Sequence, residues 1–405
     1  MAMLGVAIER LARLFPESQI NVLTNDASSL VRFAPAASPL LDDGRAQWLR
    51  DNFLPGTLAI RLFRELRRRA PHVIGPLWRY RYRNNEKMAA ALDHFSCSVS
   101  HADLVVVAGM GGITDYFPGY AYGVLEVLGL AIHAGRRTVM VGQGMGPLQN
   151  ADLRARAAAI LPKLDLIALR EQRAGWPLLK ELGVDPARIM VTGDDAIEMA
   201  YVIRPKILGV GIGVNARVSD YSGVDSQILD RIREALRDAS ASLGAPLIPV
   251  PISHVPGEED IRSIGNLMNS SDPELSLAAG LKTPIEVIRQ IQRCRLVVTG
   301  SYHAGVFALA SGIPVVGLAK SPYYLDKFLG LADMFAVGCE TVVLDRSDCS
   351  TSLREAVHRL YASAQTIRPC ILSSAETQIA AGHSCYRRIQ KLASPCMKVG
   401  EADDA

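Results

Sequence analysis

Short apolar runs ending in glycine or polar residues recur along the chain, separated by stretches in which apolar residues return at helical spacing. Leu4, Ile8, Leu11 and Phe15 predict a first helix over the opening segment. QINVLT (19–24) reads as a strand with Asn25 and Asp26 as turn residues, while residues 34–60, rich in Pro, Gly and Asp and with little periodicity, read as a loop excursion. Buried strands are expected at 104–108 (LVVVA), 138–141 (TVMV), 164–168 (LDLIA) and 189–192. After a Pro-containing connection at 201–206 a second series begins. It holds a strand at 207–212, a helix from about 225 to 242, a strand at 246–249, a helix at 284–294, a strand at 296–299, a helix at 304–311 and a strand at 314–318. A strand at 341–344, helices near 350–363 and 373–392 and a polar tail from about 394, expected to be disordered, complete the chain. Strands alternating with helices predict an α/β fold with parallel sheets.

The chemistry gathers at the carboxyl ends of the predicted strands. In LVVTGSYHAGVFALASGIPVVGLAKSPYYLDK (296–327), His303 follows a buried strand and opens a helix whose unpaired N–H groups suit an anion, with Lys320 and Lys327 on the same expected rim. Gly109, Gly111 and Gly112 let the chain turn sharply after 104–108 and approach a ligand closely. Asp115, just beyond, either orients or deprotonates a sugar hydroxyl or caps a turn or helix. Gln143, in GQGMGP, either bonds a substrate or is a solvated turn residue, and the GxGxG spacing there argues against nicotinamide binding. Arg170 stands at a strand end, with a salt bridge to Glu171 or Asp194 as its structural alternative. Asp194 and Asp195 are neighbours and so point to opposite faces, which argues against joint metal ligation; one is expected to cap the next turn and the other to face the cleft. Asn215 and Arg217 would emerge into the cleft after Gly209, Gly211 and Gly213, and His254 sits in a polar loop near Glu258 and Asp260.

Composition narrows the class. The formal net charge is +3 over 405 residues, with basic clusters only at 67–69 and 79–83, so no nucleic-acid footprint is expected. The basic segment 61–87 reads as a solvated helical face with Trp78 and Tyr80 packed beneath, the alternative being contact with an acceptor or a membrane surface. Seven cysteines without a CxxC pair read as reduced thiols of a cytoplasmic protein, with neither zinc nor disulfides favoured. No apolar run is long enough to span a bilayer, and the charges at Glu9 and Arg10 come too early for a secretory signal.

SYHAGVFALASGIPVVGLAKSPYYLDKF resembles the C-terminal signature of the polysaccharide pyruvyl transferase family. GMGGITDYF (109–117), GQGMGPLQN (142–150), LREQRA (169–174), TGDDA (192–196) and GVGIGVNAR (209–217) follow in the family's order. The resemblance implies two Rossmann-like domains facing across a GT-B-like cleft. Residues 1–203 would form the acceptor side, 204–372 the donor side, and 373–393 a helix crossing back. Phosphoenolpyruvate would be the donor and a glycan or lipid-linked sugar the acceptor, giving a cyclic pyruvate ketal with no further cofactor or metal. The enol carbon must be protonated, which points to His303 as general acid, with Asp115 as the second catalytic candidate. The donor's roughly three negative charges call for converging cations and helix starts. Arg170, Lys320, Lys327 and Arg217, with Ser301 and Tyr302, are the implied donor residues; Gly111, Gly112, Gln143, Asn215 and His254 are the acceptor set. The chain departs from the family twice. Ser301 and Tyr302 replace an Arg and Leu before the histidine, removing a bidentate clamp, and the sequence opens without the strand and Gly-rich turn with which the family begins, so that either the start is truncated or the fold tolerates one missing strand. A nucleotide-sugar glycosyltransferase gripping a diphosphate at GSYHAG (300–305) and a non-catalytic family member are the alternatives.

Overall fold

The structure, a computed structural model, describes residues 2–51, 53, 56–216, 226–254, 259–268 and 272–393. Its N-terminal half holds β1 (Ile20–Thr24) and β2 (Ala37–Leu41), which pair in parallel. A second parallel sheet in the same half has the order β3 (Leu104–Val107), β4 (Arg137–Gln143), β5 (Leu166–Leu169), β6 (Ile189–Val191). The C-terminal half is built on β7 (Gly211–Asn215), β8 (Leu247–Pro249), β9 (Cys294–Thr299), β10 (Val315–Ala319) and β11 (Cys339–Val343). They form one parallel sheet in the order β11-β10-β9-β7-β8. The central strands carry near-continuous Val, Ile and Leu because helices cover both faces. Val139, Met140, Val297 and Val298 are accordingly buried. These are the two Rossmann-like halves the sequence implied.

Three expectations change. The supposed excursion at 34–60 contains β2 and a helix at Asp43–Trp48, because a five-residue strand is too short to show periodicity. Ile207 and Val210 are exposed and the strand starts at Gly211, where a Cβ would meet the Ile248 side chain at 2.3 Å. The two predicted C-terminal helices are one, Cys349–Ala393, running through Pro369. Proline there removes one helical hydrogen bond. Its neighbour Arg368 donates to the carbonyls of Gly312 (3.2 Å) and Pro205, tying the helix to the connection between halves. Cys349, Leu353, Val357 and Leu360 pack in the second half, and Cys385, Tyr386 and Ile389 pack with Val139, Val141 and Leu11 in the first, so the helix does cross back.

A partly buried ionic cluster holds that crossing. Arg10 of the first helix, Ala2–Leu14, reaches Asp195 (2.6 Å) and Glu198 (2.6 Å), while Tyr386 and His383 of the crossing helix bond Asp195 (3.2 Å) and Glu198 (2.9 Å). Burial opposes the Arg10 charge, but Asp195 and Glu198 outweigh it and hold its pKa above the ordinary value. Among the described residues no strand joins β1 to β3. Both border a cavity of about 1600 Å³ that extends to the carboxyl ends of β5 and β9. Among the described residues no helix is long and apolar enough to cross a membrane, and the six described cysteines are unpaired.

Candidate functional site

β7 is flanked by β8 on one side and β9 on the other, so the chain leaves it in opposite directions. Such a switch point opens a crevice beyond the carboxyl ends of the strands, where ligands bind in open α/β sheets. The turn after β9 lies there. Thr299 Oγ1 accepts the Ser301 N–H (2.8 Å), Ser301 is the N-cap of the Tyr302–Ala310 helix, and His303 is that helix's second residue. The first N–H groups of a helix have no partner within it. Ser301, Tyr302 and His303, the residues at this helix start, line the cavity.

Arg170 enters from the other half, at the end of β5. Its side chain is 3% exposed, its Cζ lies 4.0 Å from the Tyr302 ring centroid, and Nη1 is 3.8 Å from Asp194 Oδ2. Burial alone would lower its pKa, but the surrounding Tyr302, Asp194, Tyr323 and Glu171 outweigh that and keep it firmly cationic. Asp194 Oδ1 accepts the Ala196 N–H (2.9 Å), and its Oδ2 is also 3.8 Å from His303 Nε2. Arg170 Nε and Asp194 Oδ2 are both buried without a hydrogen-bond partner. Orphaned polar atoms at this depth are costly. Asp195 turns away to Arg10, so the adjacent carboxylates face apart, as the sequence implied.

His303 lines the cavity and touches Met3 Sδ (3.4 Å) of the first helix. Desolvation lowers its pKa to about 4 against the pull of Asp194, so the resting ring is neutral at pH 7. Lys327 Nζ lies 3.7 Å from the Tyr323 ring centroid, Tyr323 stacks on Tyr116 at 4.6 Å, and its hydroxyl donates to the Gly111 carbonyl (3.1 Å). Gly111 is therefore where the halves meet. A Cβ on it would come within 2.9 Å of Arg170 Nη2 and 3.4 Å of the Tyr323 hydroxyl.

Arg170, Ser301, Tyr302, His303, Lys327, Gly111 and the exposed His254 thus share one cavity. Other candidates do not join them. Asp115 accepts the N–H groups of Gln149 (2.5 Å) and Asn150 (3.2 Å), so its carboxylate fixes the turn after β4, outside the cavity lining. Gln143 is turned into the sheet, donating to the Val107 (3.0 Å) and Val141 (2.9 Å) carbonyls. Asn215 is fully buried, donating to the Val250 carbonyl (2.9 Å) and Asp260 (2.8 Å) and accepting from Thr299 (3.1 Å), which locks three turns and leaves nothing for an acceptor. Gly112 is covered by the Tyr120 ring. Lys320 is outside the cavity lining and 3.7 Å from Asp345. Arg217 lies outside the described residues. Met3, Tyr116 and Tyr323 were missed; the i, i+4 spacing of Tyr323 and Lys327 was the one available signal.

No curated protein matches the sequence. Among solved structures, a putative UDP-N-acetylglucosamine 2-epimerase from Listeria monocytogenes is 15% identical, with a TM-score of 0.54 over 96% of this chain and 92% of that one. A glycosyltransferase from Rickettsia africae is 10% identical, with a TM-score of 0.53 over 96% and 94%. UDP-GlcNAc 2-epimerase from Methanocaldococcus jannaschii is 12% identical, with a TM-score of 0.52 over 95% and 96%. At such identities the likeness is one of fold, two Rossmann-like domains of the GT-B type. The family model for polysaccharide pyruvyl transferase matches residues 1–322, and with that match over most of its length the chain belongs to the polysaccharide pyruvyl transferase family.

Proposed function

We propose that this protein transfers the pyruvyl group of phosphoenolpyruvate to two hydroxyls of a glycan or lipid-linked sugar, forming a cyclic ketal and releasing phosphate. The observation that carries the reading is the orphaned donor Arg170 Nε, buried on a residue that lines the cavity at the start of the Tyr302–Ala310 helix; the orphaned acceptor Asp194 Oδ2, 3.8 Å from His303 Nε2, would be partnered by that ring once it is charged. Guanidinium, helix start and Lys327 all line the cavity, from both halves, and positive charge gathered in this way suits a small polyanion. In this role Arg170 supplies the cation that Ser301 and Tyr302 do not.

The reaction needs a proton on the enol carbon as its double bond becomes an oxocarbenium-like centre. One sugar hydroxyl adds to that centre and gives up its proton, phosphate leaves with its bonding electrons, and the second hydroxyl closes the ring and loses its proton; of the two protons released, one replaces that given to carbon and the other leaves on phosphate. A neutral His303 cannot donate the first proton. The donor's own negative charge reverses this, since an anion within a few ångström favours imidazolium. His303 therefore takes up its proton as the donor binds and delivers it to carbon, so that protonation waits for a filled site. Asp194, within 3.8 Å of both Arg170 and His303, orients the two.

The test is a product assay: the protein, phosphoenolpyruvate and a panel of lipid-linked and free glycans, followed by mass spectrometry and phosphate release. Pyruvate-bearing glycan with matching phosphate is expected, and its loss in His303→Ala. Sugar transfer from a nucleotide sugar, with no pyruvylation, would replace this reading by the glycosyltransferase one.

A further inference from the structure

The helix Thr57–Arg69 carries a wider apolar stripe than the protein covers. Phe63, on its inner face, packs against Trp78 (5.6 Å between ring centroids) of the neighbouring helix Ile74–Arg81. Leu58, Leu62 and Leu66 stand on the outer face, 70%, 62% and 38% exposed. Their i, i+4, i+8 spacing makes a straight convex row about 12 Å long. Tyr80, expected beneath this surface, is instead 69% exposed, with the Arg83 guanidinium 4.8 Å from its ring centroid.

The charge around this row is one-sided. Residues 57–83 contain eight arginines and one acidic side chain, Glu65, in a protein whose net charge is only +3. Arg64, Arg67 and Arg68 are partly neutralised by Asp51 and Glu126, and Arg79 by Asp93. Arg69 pairs with Glu65 (2.6 Å) yet stays exposed, and Arg61, Arg81 and Arg83 are exposed at the margins as well.

We propose that this two-helix surface docks on an anionic lipid bilayer, Leu58, Leu62 and Leu66 entering the interface and the arginines lying among the headgroups. A convex row of leucines edged by arginine suits a planar boundary that is apolar below and anionic above. A protein partner would need a groove shaped to receive the ridge. An aromatic with a polar tip, such as Tyr80, prefers the same depth. The docking does not depend on the chemistry in the cleft, so it can fail or hold independently of pyruvyl transfer.

The experiment is flotation of the full chain with phosphatidylglycerol–phosphatidylcholine vesicles and with phosphatidylcholine vesicles alone. Binding at least about tenfold tighter to the anionic vesicles is expected, weakening as salt is added. The double variant Leu58→Asp/Leu62→Asp should lose about tenfold or more of that binding, and Arg61→Gln/Arg69→Gln should lose the preference for anionic lipid. Both should keep the wild-type melting curve, because all four side chains are exposed. Should the aspartate variant unfold, Leu58→Ser/Leu62→Ser carries the same expectation. Equal binding to both vesicles, or unchanged binding of the leucine variants, overturns the proposal. No flotation with either vesicle, together with retention on an immobilised acidic polypeptide, would also overturn it and assign the patch to a protein partner.

Discussion

Replacing Arg170 by methionine tests stability and donor binding together. The side chains of Arg170 and Asp194 are 3% and 1% exposed, and the charges lie 3.8 Å apart. Removing one partner of a buried ion pair leaves the other charge uncompensated, at a cost of about 3–5 kcal/mol. Methionine fills much of the same space, so little of the loss comes from a cavity. Arg170→Met should therefore lower the denaturant midpoint clearly without changing the slope of the transition. Asp194→Asn added to it should recover most of the stability, since no charge is then left buried. Donor binding should remain absent in both, because neither restores a cation. Unfolding followed by fluorescence, with and without phosphoenolpyruvate, reads both quantities. A single variant as stable as wild type would refute the electrostatic argument, and a double variant that regains donor binding would remove Arg170 from the site.

The remaining expectations concern the residues around it. His303, with a pKa of about 4 in the native protein and about 6.5 when unfolded, stays neutral while the unfolded chain takes up a proton. Wild type should thus lose stability as pH falls from about 6.5 to 4, and His303→Gln should lose less over that window, as melting temperatures against pH will show. Gly111→Ala would push a methyl group to within 2.9 Å of Arg170 Nη2; a rise in donor KM of roughly tenfold to a hundredfold with an intact fold is expected from steady-state kinetics. Lys327→Ala should weaken donor binding about tenfold, the value of one charge-assisted contact, whereas Lys320→Ala, outside the lining, should change it by less than about twofold; calorimetry separates them.

The fold was legible because most of its strands read as continuous apolar runs. Runs such as LVVVA and TVMV leave little ambiguity when glycine follows each. Less was legible where the pattern is short or mixed. β2 spans five residues with two of them exposed, and the helices expected near 350–363 and 373–392 are one, which tertiary contacts carry through Pro369. The site was readable as a set of positions but not of directions. Arg170 and His303 stand at strand ends and reach the cavity. Gln143 and Asn215 stand at strand ends too, and turn inward to carbonyls at or just past the strand ends and at the register shift in β4, which need donors. Nothing in the sequence distinguishes those outcomes. Asp115 shows the same limit, since two backbone N–H groups from a loop more than thirty residues away claim its carboxylate. Tyr323 contributes by crossing between halves, a relation that no local spacing reveals.

The most direct test is a calorimetric titration with phosphoenolpyruvate in two buffers of different ionisation heat. Saturable binding with net proton uptake is predicted for the wild type, with the uptake lost in His303→Gln and the binding lost in Arg170→Met. No binding of phosphoenolpyruvate, alongside binding of a nucleotide sugar, would contradict the account.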